Sequence, residues 1–96
     1  MTVTWRDEAT RNLEQLYAFT AAYSEVAARN LINRLVARAD ALGDFPDLGR
    51  VVPELENQDI RELNESPYRI IYRVLHSEVE ILAVFHGARS GFPDLI

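Results

Sequence analysis

The sequence predicts an α+β fold of two layers, and three observations carry that expectation. Apolar residues recur at helical spacing twice between Ala9 and Leu42. After Gly43 the period drops to two, as in strands. A short alternating stretch, Val3-Thr4-Trp5, stands ahead of the first helix. Helices gathered before a run of strands stack as one layer on one face of a sheet. The expected architecture is a two-layer sandwich: an N-terminal strand, an antiparallel helical hairpin, then a three- to four-stranded, mainly antiparallel sheet. Ninety-six residues suit a single domain over 1–96 with one core.

Val3-Thr4-Trp5 reads as the opening strand, with Trp5 assigned to the core. Asp7 is placed as an N-cap, with Glu8 in the first turn where the helix dipole favours negative charge. Ala9, Leu13, Leu16, Tyr17 and Thr20 then lie on one face of a helix reaching about Ala22. Ser24 caps a second helix, whose stripe is Ala28, Leu31, Ile32, Leu35, Ala39 and Leu42. Gly43 and Pro46 end it. The two or three residues between the helices require an antiparallel hairpin. Arg11, Glu14, Arg29, Arg34 and Arg38 fall on the solvent side.

The turn-rich segment 44–50 joins the helices to the strands, with Phe45 and Leu48 as its expected anchors in the core. Arg50-Val51-Val52 and Ile60-Arg61-Glu62-Leu63 are short extended pieces, and Pro67 marks the turn between the second and the next. Tyr68–Leu75 is the strongest strand, with Tyr68, Ile70, Tyr72 and Val74 on one face. His76-Ser77 turns it into 78–86. There, plain alternation places Val79, Ile81, Ala83 and Phe85 together and Leu82 and Val84 opposite. A strand apolar on both faces needs two covers, and the tail with Phe92, Leu95 and Ile96 is one candidate for the second.

Composition narrows the function classes. The net charge is −5, and all ten basic residues are arginine. An acidic chain repels nucleic acid at long range, so any contact with it needs a local basic patch. The absence of cysteine excludes disulfides, thiolate catalysis and cysteine zinc sites. His76 and His86 lack ligand-like companions, so no metal and no cofactor is expected. The serines lack a recognisable His–Asp arrangement. No apolar run approaches the roughly 20 residues of a membrane span, and the N-terminus lacks a signal-peptide layout. A cytoplasmic protein without membrane contact is expected.

Several segments, taken in order, resemble the RelE/ParE toxin superfamily of type II toxin–antitoxin systems. They are Val3-Thr4-Trp5, Ala9/Leu13/Leu16, Ala27-Ala28, Phe45-Pro46-Asp47-Leu48-Gly49-Arg50, Ile60-Arg61-Glu62-Leu63, Tyr68 to Val74, and Val84-Phe85-His86-Gly87-Ala88-Arg89. From Val3 to Arg89 they are spread across about nine-tenths of the chain. The resemblance implies the same α+β fold, a cognate antitoxin as protein partner and a toxin–antitoxin hetero-oligomer. It also implies one of two targets. RelE-like members cut messenger RNA on the ribosome; ParE-like members act on DNA gyrase without hydrolysis.

For the nuclease reading, the resemblance points to Arg69, His86 and Arg89 as catalytic residues. Cleavage through the 2′-hydroxyl needs a base, an acid and a cation for the phosphorane. Two departures oppose it: Ile60 and Glu62 stand where such nucleases place basic residues, and no tyrosine follows Tyr72. The ParE-like, non-enzymatic reading is therefore preferred, with a degenerate non-toxic module as a further alternative. Arg61, Arg73, Leu82, Val84, Phe92 and Leu95 are the contact candidates for a target or antitoxin. Structurally, Arg61, Arg69 and Arg73 could equally pair with Glu62, Glu78 or Glu80 across the sheet.

Overall fold

The computed structural model describes residues 1–89 and 91–95. Strand β1 (Thr2–Trp5) leads into helices α1 (Asp7–Ala21) and α2 (Glu25–Asp40), and a single 3₁₀ turn (Ala41–Gly43) follows. Strands β2 (Arg50–Val51), β3 (Ile60–Glu65), β4 (Tyr68–Val74) and β5 (Glu78–His86) complete one sheet, in the order β1-β5-β4-β3-β2. β1 runs parallel to β5, and every other neighbour is antiparallel. The α+β sandwich expected from the periodicity is the fold observed.

Both helices lie on one face of the sheet. Ala9, Leu31, Leu35, Ala39 and Leu42 meet Leu63, Ile70, Tyr72, Val79, Ile81 and Val84 there. The helical stripe of α2 is thus the core stripe the spacing predicted. Ser24 caps α2, its side chain accepting the Ala27 N–H at 3.1 Å. At α1 the N-cap is Arg6 rather than Asp7, which is already helical. The Arg6 N–H donates to the Ile81 carbonyl at 2.9 Å, so the sheet itself sets where the helix begins. Tyr17 is exposed, off the buried face.

The opposite face has its own apolar cluster of Val52, Ile71, Leu82, Ala83 and Phe85. Leu55 and Ile60 from the β2–β3 segment, and Phe92 and Leu95 from the tail, cover it. The chain therefore closes this face itself; Ile96 lies outside the described residues.

Regular alternation fails inside β5. Tyr72 pairs with Ile81 but Ile71 with Ala83, which leaves Leu82 as a bulge residue. The bulge resets the faces: Val84 joins Val79 and Ile81 under the helices, and Ala83 and Phe85 join Leu82 on the far side.

Phe45 and Leu48 do not anchor the segment after α2; they are 63% and 47% exposed. The Tyr72 hydroxyl does this instead, donating to the Pro46 carbonyl at 2.7 Å and accepting the Gly49 N–H at 2.9 Å. Burial pushes the pKa of this hydroxyl up, which keeps it protonated and able to donate. Gly49 is buried, and a Cβ there would collide with the Glu62 carbonyl and the Tyr72 hydroxyl.

Candidate functional site

Arg69 on β4 faces the far side of the sheet, paired in register with Phe85. Its side chain is 15% exposed. Nη1 and Nη2 form a two-pronged pair with Glu54 at 2.9 and 2.8 Å. Nε and Nη2 also reach Oε2 of Glu62, the Nε contact at 2.9 Å. The guanidinium centre lies 5.3 Å from the Phe85 ring centroid and 5.4 Å from that of Phe92. Aromatic faces and carboxylates thus enclose the cation from several directions.

Glu62 is the one charged residue buried among those described, at 1% exposure. Its second oxygen accepts from Arg50 Nε at 2.9 Å and Nη2 at 2.7 Å. Arg50, Arg69, Glu54 and Glu62 sum to zero charge, and each carboxylate is held by a guanidinium. The hydrogen bonds from Arg69 hold the Glu54 carboxyl at a pKa of about 2. Arg69 is shifted upward, first by its bonds to Glu54, with Glu62 adding to them and burial opposing them. The Glu62 carboxylate is therefore built into the structure as a buried partner of Arg69.

His86 pairs in register with Tyr68 and so projects from the helical face, the face opposite Arg69. Its ring meets Tyr68 edge to face with centroids 5.5 Å apart. Nδ1 accepts the N–H groups of Ala88 and Arg89, both at 3.1 Å, so the neutral ring carries its proton on Nε2. Arg89 lies over the Phe19 ring of α1, 6.0 Å from its centroid. His86 and Arg89 are thus brought together, and the sheet separates both from Arg69.

Of the contact candidates, Arg61 donates to the Gly49 carbonyl at 2.9 Å and lies 3.8 Å from Asp47. Arg73 pairs with Glu80 at 2.7 Å, and Arg6 approaches the same carboxylate at 3.3 Å. Leu82 and Val84 are 3% and 1% exposed, and after the bulge they face opposite cores. Both side chains are buried, and the bulge corrects the plain alternation that put them on one face. Phe92 and Leu95 are half-buried covers of the far face. A groove of about 850 Å³ runs between them, Arg6, Arg11, Leu55 and Arg73.

Sequence reasoning missed Glu54 as a partner of Arg69, because it sits in an irregular segment with no periodicity. It also missed the exposed Phe19, Tyr23 and Val26 at the end of the hairpin. An aromatic pair four apart at a helix end, off the core stripe, was the available signal. No helix is long and apolar enough to cross a membrane among the described residues.

A helical hairpin on one face of a five-stranded sheet, with the other face closed by loop and tail, defines a small two-layer α+β domain. Residues 3–91 match the family model described as ParE toxin of type II toxin-antitoxin system, parDE. The chain belongs to this family, within the RelE/ParE superfamily. It is 33% identical over 88 residues to Toxin RelE2 of Caulobacter vibrioides, covering 91% of this chain and 96% of that one. It is 30% identical over 94 residues to Putative toxin Y4kP of Sinorhizobium fredii, covering 98% and 95%. The structure of a chromosomal ParDE TA system from P. aeruginosa has the same fold, with a TM-score of 0.75, 21% identity and coverage of 90% and 95%. The toxin–antitoxin complex RelBE2 from Mycobacterium tuberculosis aligns with a TM-score of 0.67, 25% identity and coverage of 88% and 95%.

Proposed function

We propose that this toxin acts in the cytoplasm by binding rather than by cutting RNA, with DNA gyrase as its target and a cognate antitoxin as its neutralising partner. One observation carries the reading. Arg69, the cation a RelE-like mechanism would set against the scissile phosphate, is paired with Glu54 and Glu62 on the face opposite His86. An in-line transfer needs base, acid and cation around one phosphate, within about 3 Å of the reacting atoms. Here the sheet lies between them. Gyrase as the target rests on the resemblance to ParE-like toxins and on the family match over residues 3–91. The antitoxin reading is supported by the two solved complexes that share the fold.

The relative named Toxin RelE2 favours a second reading, ribosome-dependent cleavage of messenger RNA. In that case His86 and Arg89, which share the helical side, are the residues to test. Controlled expression without the antitoxin separates the two. Growth arrest with induction of the DNA-damage response and intact transcripts supports gyrase. Codon-specific transcript cuts that vanish in His86→Ala would overturn the binding reading.

A further inference from the structure

β5 ends at His86, whose imidazole folds back onto the chain that follows. Its Nδ1 accepts the N–H groups of Ala88 and Arg89, two and three residues on, both at 3.1 Å. An asparagine or aspartate oxygen commonly holds a tight turn in this way; here a ring nitrogen does so. An amide oxygen keeps its lone pairs at any ordinary pH. A protonated Nδ1 instead has no lone pair and becomes a donor aimed at two donors. Histidine is the side chain that ordinarily gains this proton between pH 5 and 8.

The groups facing the ring from each element are uncharged or positive. From α1 they are Asn12, Gln15, Leu16 and Phe19. From β4 it is Tyr68, packed edge to face. Glu65 of β3 stands one strand further along the same row, already held by Arg34 and Arg38 at 3.2 Å each. Arg89 hangs from the turn itself, over Phe19. A proton gained by His86 therefore adds a cation beside a cation.

This turn also launches the tail. The Gly87 N–H donates to the Pro67 carbonyl at 2.8 Å, which pins the end of β5 to the β3–β4 turn. Three residues past Arg89, Phe92 lies on the far side of the sheet against Phe85, and Leu95 is held there through its carbonyl by Arg6. The bonds to Ala88 and Arg89 thus set the direction in which the chain leaves the helical side. Glu54, which pairs with Arg69 near Phe92, is held at a pKa of about 2 and stays ionised through the histidine range.

We propose that His86 is a proton-sensitive latch on the C-terminal tail. Neutral, it holds the turn that sends Phe92 and Leu95 over the far face. Protonated, it opens that turn and uncovers Leu82 and Phe85. The latch is closed at higher pH and is lost as pH falls, whichever target the toxin binds.

Limited trypsin digestion of the full chain at about pH 7.5 and about pH 5.5, within the histidine range, tests it. Cleavage after Arg89 removes residues 90–96 and reports how often the turn is open. Each rate is divided by that of a free peptide covering residues 86–96, which corrects for the pH dependence of the protease. The normalised rate should be at least about fivefold higher at the lower pH, the change expected from one net hydrogen bond. Binding of an apolar dye should rise with it. His86→Asn puts an amide oxygen in place of Nδ1, so its rate should stay low at both pH values. His86→Ala removes the acceptor and should be fast at both. His76→Asn, between β4 and β5, should respond as the native chain does. Equal normalised rates in the native chain overturn the latch, as does a pH response that persists in His86→Asn. Faster cleavage without a rise in dye binding also overturns it, because the far face would then stay sealed with the turn open.

Discussion

At Glu62 a carboxylate is buried with a guanidinium on each oxygen, and the worth of each partner differs. Removing one member of a buried ion pair costs about 3–5 kcal/mol, because the other is left uncompensated. Here Arg69 keeps Glu54, so Glu62→Gln should lower stability by about 2–3 kcal/mol. Arg50 is 64% exposed and its loss should cost under about 1 kcal/mol. Urea unfolding of the two variants checks the contrast, and equal losses would contradict it. Glu54 adds a pH dependence. Its folded pKa of about 2 lies below the ordinary 4.5, so the folded protein binds fewer protons than the unfolded one between these values. The stabilisation is full above the ordinary value and is lost as pH falls toward 2. Glu54→Gln should flatten the stability profile in that window, as followed by thermal unfolding across pH. The pairing of Glu62 with Arg69 was legible in the sequence, as opposite charges on neighbouring strands. Its second arginine and the role of Glu54 were not, because long-range pairs across a loop leave no spacing to read.

Among the elements, the helices were the most legible, because Ala28, Leu31, Leu35, Ala39 and Leu42 keep one period from cap to stop. β5 was legible in extent and wrong in facing, since a bulge adds one residue without any compositional mark. The apolar residues on both sides of the strand hid the reset: Leu82, Ala83 and Val84 satisfy either assignment. The bulge makes a specific prediction. Deleting Leu82 removes the extra residue, restores regular pairing and leaves Val84 and Phe85 on their observed faces. Its cost should be about 1.5–3 kcal/mol, the burial of one leucine. Deleting Val79, in the regular half, instead moves one end of the strand out of register and should prevent folding. Circular dichroism and urea midpoints of the two deletions distinguish these outcomes; a folded Val79 deletion and an unfolded Leu82 deletion would refute the face assignment.

Across the whole molecule, two apolar layers share one sheet, one sealed by helices and the other by loop and tail. The second seal is the thinner. Phe92 meets Phe85 edge to face at 5.9 Å, and Arg6 binds the Leu95 carbonyl at 2.7 Å. Replacing Phe92 and Leu95 together by serine should cost about 2–4 kcal/mol and expose Leu82 and Phe85. The expected readout is a lower urea midpoint with increased binding of an apolar dye. An unchanged midpoint would show that the tail contributes nothing to the seal. The tail is also a competitor tethered to its own receptor. A short tether holds its end at an effective concentration on the order of millimolar. Any foreign segment seeking the far face must outbid that constant local supply, whereas at the edge of β5 beyond β1 the Val84 N–H is held only by the Asn12 side chain, at 3.0 Å. The far face and the open edge of one sheet thus differ in the threshold a visitor must pass.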